Sequence, residues 1–128
     1  MRVPITTDKV ARPVGPFSPA VRLGDVVYLS GQVAQDPATG KLREGGAAEQ
    51  AAQALENVKA VLGAAGLSLD DVQRVGIFLV DMKDFAGVNE VYARYFSAPY
   101  PARTTVAVAA LPLGALVEIE VIAAASRA

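Results

Sequence analysis

The residue types that carry most acid–base and metal chemistry near neutral pH are missing: among 128 residues there is no histidine and no cysteine. Without cysteine there is no disulfide, no thiolate nucleophile and no thiolate metal site. Without histidine the usual neutral-pH base and the commonest metal ligand are gone as well. Whatever acid–base work the chain does falls to carboxylates, backbone groups or water. Charge of one sign is also lacking. Twelve Lys and Arg against thirteen Asp and Glu leave a formal net charge of −1, and no basic cluster stands out, so nothing attracts a phosphate backbone and nucleic acid is excluded as the first partner to consider. Long apolar runs are missing too. No stretch is long enough to span a bilayer, and Met1-Arg2-Val3-Pro4-Ile5-Thr6-Thr7-Asp8 has no apolar signal core, so the expectation is a cytoplasmic protein with no membrane association.

What is present is apolar. Hydrophobic residues make up 52% of the chain and charged residues 20%, the composition of a compact globular domain rather than a disordered one. One domain spanning residues 1–128 is expected, large enough to bury roughly two thirds of the surface its unfolded form exposes.

Taken in order, the segment through Gly15-Pro16-Phe17-Ser18-Pro19 holds too much Pro and Gly for a helix and reads as an extended arm or loop. Ala20 to Leu23, the pair Gly24-Asp25, and Val26 to Val33 read as a hairpin with a two-residue primed turn. Gly31 inside the second strand points to a bulge or to close approach of another chain or a ligand. Asp36-Pro37-Ala38-Thr39-Gly40 is turn chemistry. Ala51, Leu55, Val58, Leu62 and Ala65 then recur at helical spacing, with Gly66 as the stop. Val72 to Val80 reads as a strand whose apolar end suggests burial on both faces. Asp84 is the candidate N-cap of a second helix, with Phe85, Val88, Tyr92 and Tyr95 on one stripe and Pro99 and Pro101 beyond its end. Two more strands follow, joined through Leu111-Pro112-Leu113-Gly114, before a short tail. The resulting order is strand, strand, helix, strand, helix, strand, strand: an α/β (α+β) domain with one mixed sheet and two helices on one face.

The last two strands carry charge among apolar residues. From Arg103 to Ala109, Arg103, Thr105, Ala107 and Ala109 share one parity; in the final strand Glu118 and Glu120 share a face with Leu116 and Ile122. Desolvating such groups is costly without a partner, water or a ligand. Periodicity alone is satisfied by a solvated face, with Arg103 in a surface ion pair worth roughly 0–1 kcal/mol. A simple hairpin between these strands also keeps Arg103 and Glu118 roughly 14 Å apart. If the two cooperate, either the strands are not hairpin neighbours or the partners come from different subunits. Ser30, Thr105 and Glu118 are placed on the face away from the helices, where an oligomer would cover them.

Gly15-Pro16-Phe17-Ser18, Leu29-Ser30-Gly31-Gln32, Leu55-Glu56-Asn57-Val58-Lys59, Val88-Asn89, Pro101-Ala102-Arg103 and Val117-Glu118-Ile119-Glu120 together resemble the Rid/YjgF family, in that order across nearly the whole chain. The resemblance implies a chorismate-mutase-like fold with the last strand inside the sheet, a homotrimer with sites at subunit interfaces, and no cofactor. Members resembling the RidA branch are 2-iminobutanoate/2-iminopropanoate deaminases, which hydrolyse reactive enamine and imine intermediates of the 2-aminoacrylate type to 2-oxo acids and ammonia.

By the same resemblance Arg103 holds the substrate carboxylate, through the two parallel hydrogen bonds a guanidinium can make. Glu118 positions or activates the attacking water. Phe17, Ser30, Gly31, Asn89 and Thr105 line the substrate site. Two positions depart from the family pattern: Phe17 stands where a tyrosine is common and cannot donate a hydroxyl hydrogen bond, and Thr105 stands where a cysteine is common but keeps its backbone groups. The rival reading is a non-catalytic trimer that binds small carboxylates or serves a regulatory role.

Overall fold

The computed structural model describes residues 1–125; the tail Ser126-Arg127-Ala128 lies outside them. The elements are β1 (Val3–Ile5), β2 (Ala20–Leu23), β3 (Val26–Leu29), α1 (Ala47–Ala64), β4 (Val72–Leu79), α2 (Phe85–Tyr95), β5 (Ala102–Ala107) and β6 (Val117–Ala124). All six strands join one mixed sheet in the order β1-β2-β3-β6-β4-β5, antiparallel throughout except for the β4–β5 pair. β6 thus lies between β3 and β4, and the simple hairpin of the last two strands does not form.

Strict alternation decides which face is buried. Val27 and Leu29 of β3, Val75, Ile77 and Leu79 of β4, and Val117, Ile119, Val121 and Ala123 of β6 all point to one side. There they pack under Leu55, Val58 and Leu62 of α1 and Val88 and Val91 of α2. The other side of the sheet carries Tyr28, Phe78, Val106, Ile122, Glu118 and Glu120, with no helix over it among the described residues. β4 is therefore covered on one face within the chain, not on both: Val75, Ile77 and Leu79 are buried while Gly76 and Phe78 are half-buried.

Local chemistry sets the element ends. Gly24, with φ +60°, takes the first turn position of the β2–β3 hairpin, where a positive φ suits glycine. At the end of α1, Leu67 N–H donates to the Leu62 carbonyl and Gly66 N–H to the Gly63 carbonyl, with Gly66 at φ +76°, so the stop expected at Gly66 is a Schellman motif. In the Asp36–Gly40 turn, the Asp36 carboxylate accepts from Ala38 and Thr39 N–H groups and Gly40 N–H donates to the Asp36 carbonyl.

Four further expectations about the elements need correction. Val3–Ile5 is a three-residue edge strand instead of loop; Pro4 is tolerated because an edge strand need not donate on both sides. Asp84 makes no side-chain cap. The carboxylate that caps is Asp81, which accepts from Lys83 N–H at the start of a 3-10 turn over Met82–Asp84 that leads into α2. Phe85, at the first position of α2, is 39% exposed and leaves the buried stripe to Val88 and Tyr92. Finally, β3 ends at Leu29 instead of running to Val33, for a reason that bears on the site.

Candidate active site

Arg103 stands opposite Val75 in the parallel β4–β5 pair, and Thr105 opposite Ile77. Laterally paired residues point the same way, so both side chains lie on the helix side of the sheet. This corrects the placement of Thr105 on the far face; it shares its parity with Arg103, as expected, but on the opposite face from the one expected. There α2 meets Arg103: its Nη2 donates to Asn89 Oδ1 at 2.7 Å, and its guanidinium carbon lies 4.7 Å from the Tyr92 ring centroid and 5.6 Å from that of Phe85. Among the described residues no carboxylate forms an ion pair with it. A guanidinium oriented by an amide oxygen and two rings, with donors left over and no acid beside it, is arranged to receive an anion from elsewhere. A cavity of about 330 Å³ adjoins it, lined by Asn89, Tyr92, Ala93, Tyr100, Pro101 and Arg103.

Glu118 belongs to the opposite face, beside Phe78. Between the pairs Tyr28–Ile122 and Gln32–Ile119, the β3 side advances four residues and the β6 side three, so one extra residue is inserted at Ser30-Gly31. That bulge ends β3. The close approach expected at Gly31 comes from the same chain: a Cβ there would lie 2.7 Å from Glu118 Cδ and 2.9 Å from Cγ. Glu118 fills the space that glycine leaves. Its carboxyl is pushed above the ordinary carboxylate range, first by burial and then by the negative charge of Glu120. Ser30 Oγ donates to the Ser18 carbonyl at 2.7 Å, and Ser30 N–H to that of Pro19, so Ser30 ties down the arm that carries Phe17. Phe17 is 51% exposed. It borders a larger cavity of about 720 Å³ inside the arm, whose lining includes neither Arg103 nor Glu118.

The seven candidate residues thus form two groups, Arg103, Asn89 and Thr105 beside α2, and Glu118, Gly31, Ser30 and Phe17 around the bulge. β4 separates the strands that carry Arg103 and Glu118, and the side chains leave the sheet on opposite sides. Two inter-strand steps amount to roughly 10 Å before that divergence is counted.

Comparison with known proteins gives the lineage. Residues 7–125 match the family model described as Endoribonuclease L-PSP. A mouse protein named 2-iminobutanoate/2-iminopropanoate deaminase is 46% identical over 123 residues, covering 96% of this chain and 91% of the mouse protein. The crystal structure of RidA from the Antarctic bacterium Psychrobacter superposes with a TM-score of 0.93 at 51% identity, over 97% of this chain and 100% of that one. The chain belongs to the Rid/YjgF family. E. coli TdcF, solved with bound serine, superposes at 0.92 with 42% identity, over 97% of this chain and 99% of its own.

Two buried polar residues missed in the sequence hold this Rid fold's site segments in place. Gln50 Oε1 accepts from Leu116 N–H at 2.9 Å and fixes the entry to β6, two residues before Glu118. Asn57 Nδ2 donates to the carbonyls of Val33 and Gln35, and Asn57 Oδ1 accepts from Gln53, anchoring the segment that follows Gly31. The signal was available: positions 50, 54, 57 and 61 recur at helical spacing, so both polar residues fall on a buried stripe of α1. Helical spacing alone marks Tyr92 and Phe85 as core, although their rings also frame Arg103.

Proposed function

We propose that this Rid-family chain is a hydrolase that deaminates 2-imino and enamino acids to 2-oxo acids and ammonia, at sites completed between subunits of a homotrimer. The observation that carries this reading is the guanidinium of Arg103, oriented by Asn89 and Tyr92 and lacking an acid partner among the described residues of its own chain. The arrangement suits a small carboxylate. Glu118 cannot reach the same ligand from the opposite face, so a neighbouring subunit's sheet face, with its Glu118, Gly31 and Ser30, supplies the second half of the site. The name of the mouse relative supports the imine chemistry, and the serine bound to TdcF supports a small amino-acid-like ligand.

In the proposed reaction Arg103 grips the carboxylate through two parallel hydrogen bonds, with Asn89 and Thr105 beside it. Glu118 takes a proton from water as the oxygen attacks the imine carbon. Glu118 then passes that proton to the nitrogen of the tetrahedral adduct, the C–N bond breaks to release ammonia, and the hydroxyl proton returns to Glu118 as the carbonyl of the 2-oxo acid forms. Backbone carbonyls near the nitrogen stabilise the iminium. A carboxyl raised above its ordinary range by burial is better matched to giving and taking protons near neutrality than a solvated one. Imines hydrolyse in water unaided, so positioning supplies much of the acceleration required.

The test generates 2-imino acids in situ with an amino-acid oxidase and follows loss of semicarbazide-trappable imine. Wild type should accelerate that loss, with Glu118→Ala and Arg103→Ala both severely impaired while folded. No acceleration by wild type, with binding of 2-oxo acids retained, would favour the second reading, a non-catalytic carboxylate-binding trimer, which the serine complex of TdcF equally suits.

A further inference from the structure

Tyr92 is 6% exposed, and its hydroxyl has no hydrogen-bond partner among the described residues. A buried hydroxyl is ordinarily satisfied, and an orphan marks a group whose partner arrives with a ligand or a purpose other than stability. This one belongs to the ring over which the Arg103 guanidinium sits, 4.7 Å from the centroid. The same side chain lines the cavity of about 330 Å³ that Arg103 and Asn89 border. A phenol oxygen lies about 2.8 Å from its own ring centre, so hydroxyl and guanidinium are near enough for one carboxylate to bridge them.

We propose that Tyr92 is a second carboxylate-binding residue, donating its hydroxyl proton to the ligand carboxylate that Arg103 grips. This rests on the carboxylate-binding half of the function proposed above. Arg103 Nη2 is already directed at Asn89 Oδ1, which fixes the plane of the guanidinium and leaves its other N–H groups for the ligand. The tyrosine supplies a further donor at an angle the planar guanidinium cannot cover. Burial raises the Tyr92 pKa, with Arg103 opposing and Tyr100 adding to the rise, so the phenol keeps its proton at neutral pH and can donate. Tyr100, 58% exposed, lines the same cavity. The ligands are small 2-oxo and 2-imino acids, recognised by the carboxylate they share whatever their side chains.

Tyr92→Phe keeps the ring, its packing and its contact with Arg103, and removes only the oxygen. Calorimetric titration with 2-oxopropanoate and with 4-methyl-2-oxopentanoate, on wild type and variant, reads the consequence directly. The expected result is a rise in Kd of about tenfold or more, equal for both ligands, as for loss of a hydrogen bond to a charged group. Ligand-free Tyr92→Phe should also melt several degrees higher than wild type, because an unsatisfied buried oxygen has gone. A purely structural tyrosine predicts the reverse pattern, with lower melting and unchanged Kd, and that result overturns the proposal. A loss confined to one ligand overturns it as well, because the hydroxyl would then contact a side chain. If wild type binds both acids but deaminates no imine, the enzymatic reading fails and the Tyr92 assignment stands. If binding is unchanged in the variant while wild type deaminates, the Tyr92 assignment fails and the enzymatic reading stands.

Discussion

Gly31→Ala separates the geometry of the site from the stability of the fold. A methyl group at position 31 would sit 2.7 Å from Glu118 Cδ, 2.9 Å from Cγ and 3.0 Å from Oε1. Ordinary carbon contacts begin near 3.5 Å, so the carboxylate must retreat by about 0.5–1 Å. The atoms in the way are the far end of a flexible side chain, so the fold need not open. Gly31 is not among the glycines with positive φ, so alanine is admitted there, and the reduced freedom of the unfolded chain contributes roughly 0.4–1 kcal/mol in the variant's favour. That gain offsets an off-rotamer cost at Glu118 of about 0.5–1.5 kcal/mol. The melting temperature should therefore move by only a few degrees. Activity should not be spared, because a displacement on the order of 1 Å in a catalytic group lowers rates by about 10²-fold. The assay is imine loss with the oxidase-coupled substrate, alongside thermal melting of the same preparations. Full activity in a well-folded Gly31→Ala protein would refute the argument that Gly31 exists to seat Glu118.

Gln50→Ala leaves the Leu116 N–H without its acceptor and should cost about 1–3 kcal/mol in denaturant unfolding; no loss would show that water replaces the amide. Asn57→Ala strips a donor from two carbonyls and should destabilise at least as much, with activity falling as the segment after Gly31 loosens. Glu118 carries a raised pKa in the folded state, so its favourable contribution is complete below the unfolded value near 4.3 and is lost as pH rises through the folded value. Glu118→Gln should thus gain stability relative to wild type between pH 4 and 7, and a melting difference that is flat with pH would contradict this. The family model carries the description endoribonuclease, yet a chain of net charge −1 with no histidine should bind and cleave RNA poorly at any salt concentration. Gel assays with defined single-stranded RNA check this, and salt-sensitive cleavage would count against it.

The helices and the central strands were legible because their apolar positions follow one period each. Leu55, Val58 and Leu62 announce α1, and Val117, Ile119 and Val121 announce β6. The turns at Gly24-Asp25 and Asp36–Gly40 were legible because glycine and aspartate act locally. The face of β5 was not. Parity shows that Arg103 and Thr105 point together, but which side they take depends on pairing with β4, a neighbour 28 residues away at Val75–Arg103. β1 was illegible because three residues with a proline at their centre carry no period, and sheet pairing alone makes them a strand. At Gly31 the sequence indicated a bulge or a close approach by another chain or a ligand; that a bulge forms and that the neighbour is Glu118 of the same chain required the register of β6. Tyr92 was hidden by its own hydrophobicity, since a ring on a buried stripe looks like core until its hydroxyl is found without a partner.

The central claim, that Arg103 of one subunit and Glu118 of another share each site, can be tested by complementation. Arg103→Ala and Glu118→Ala chains, each inactive alone, are co-expressed with separate tags so that mixed trimers can be purified and assayed for imine loss. Around a closed ring holding both kinds of chain, one interface in three joins an intact Arg103 to an intact Glu118, so activity should return to about one third of wild type. Mixed trimers as inactive as either parent would place both residues in the same chain's site and contradict the account.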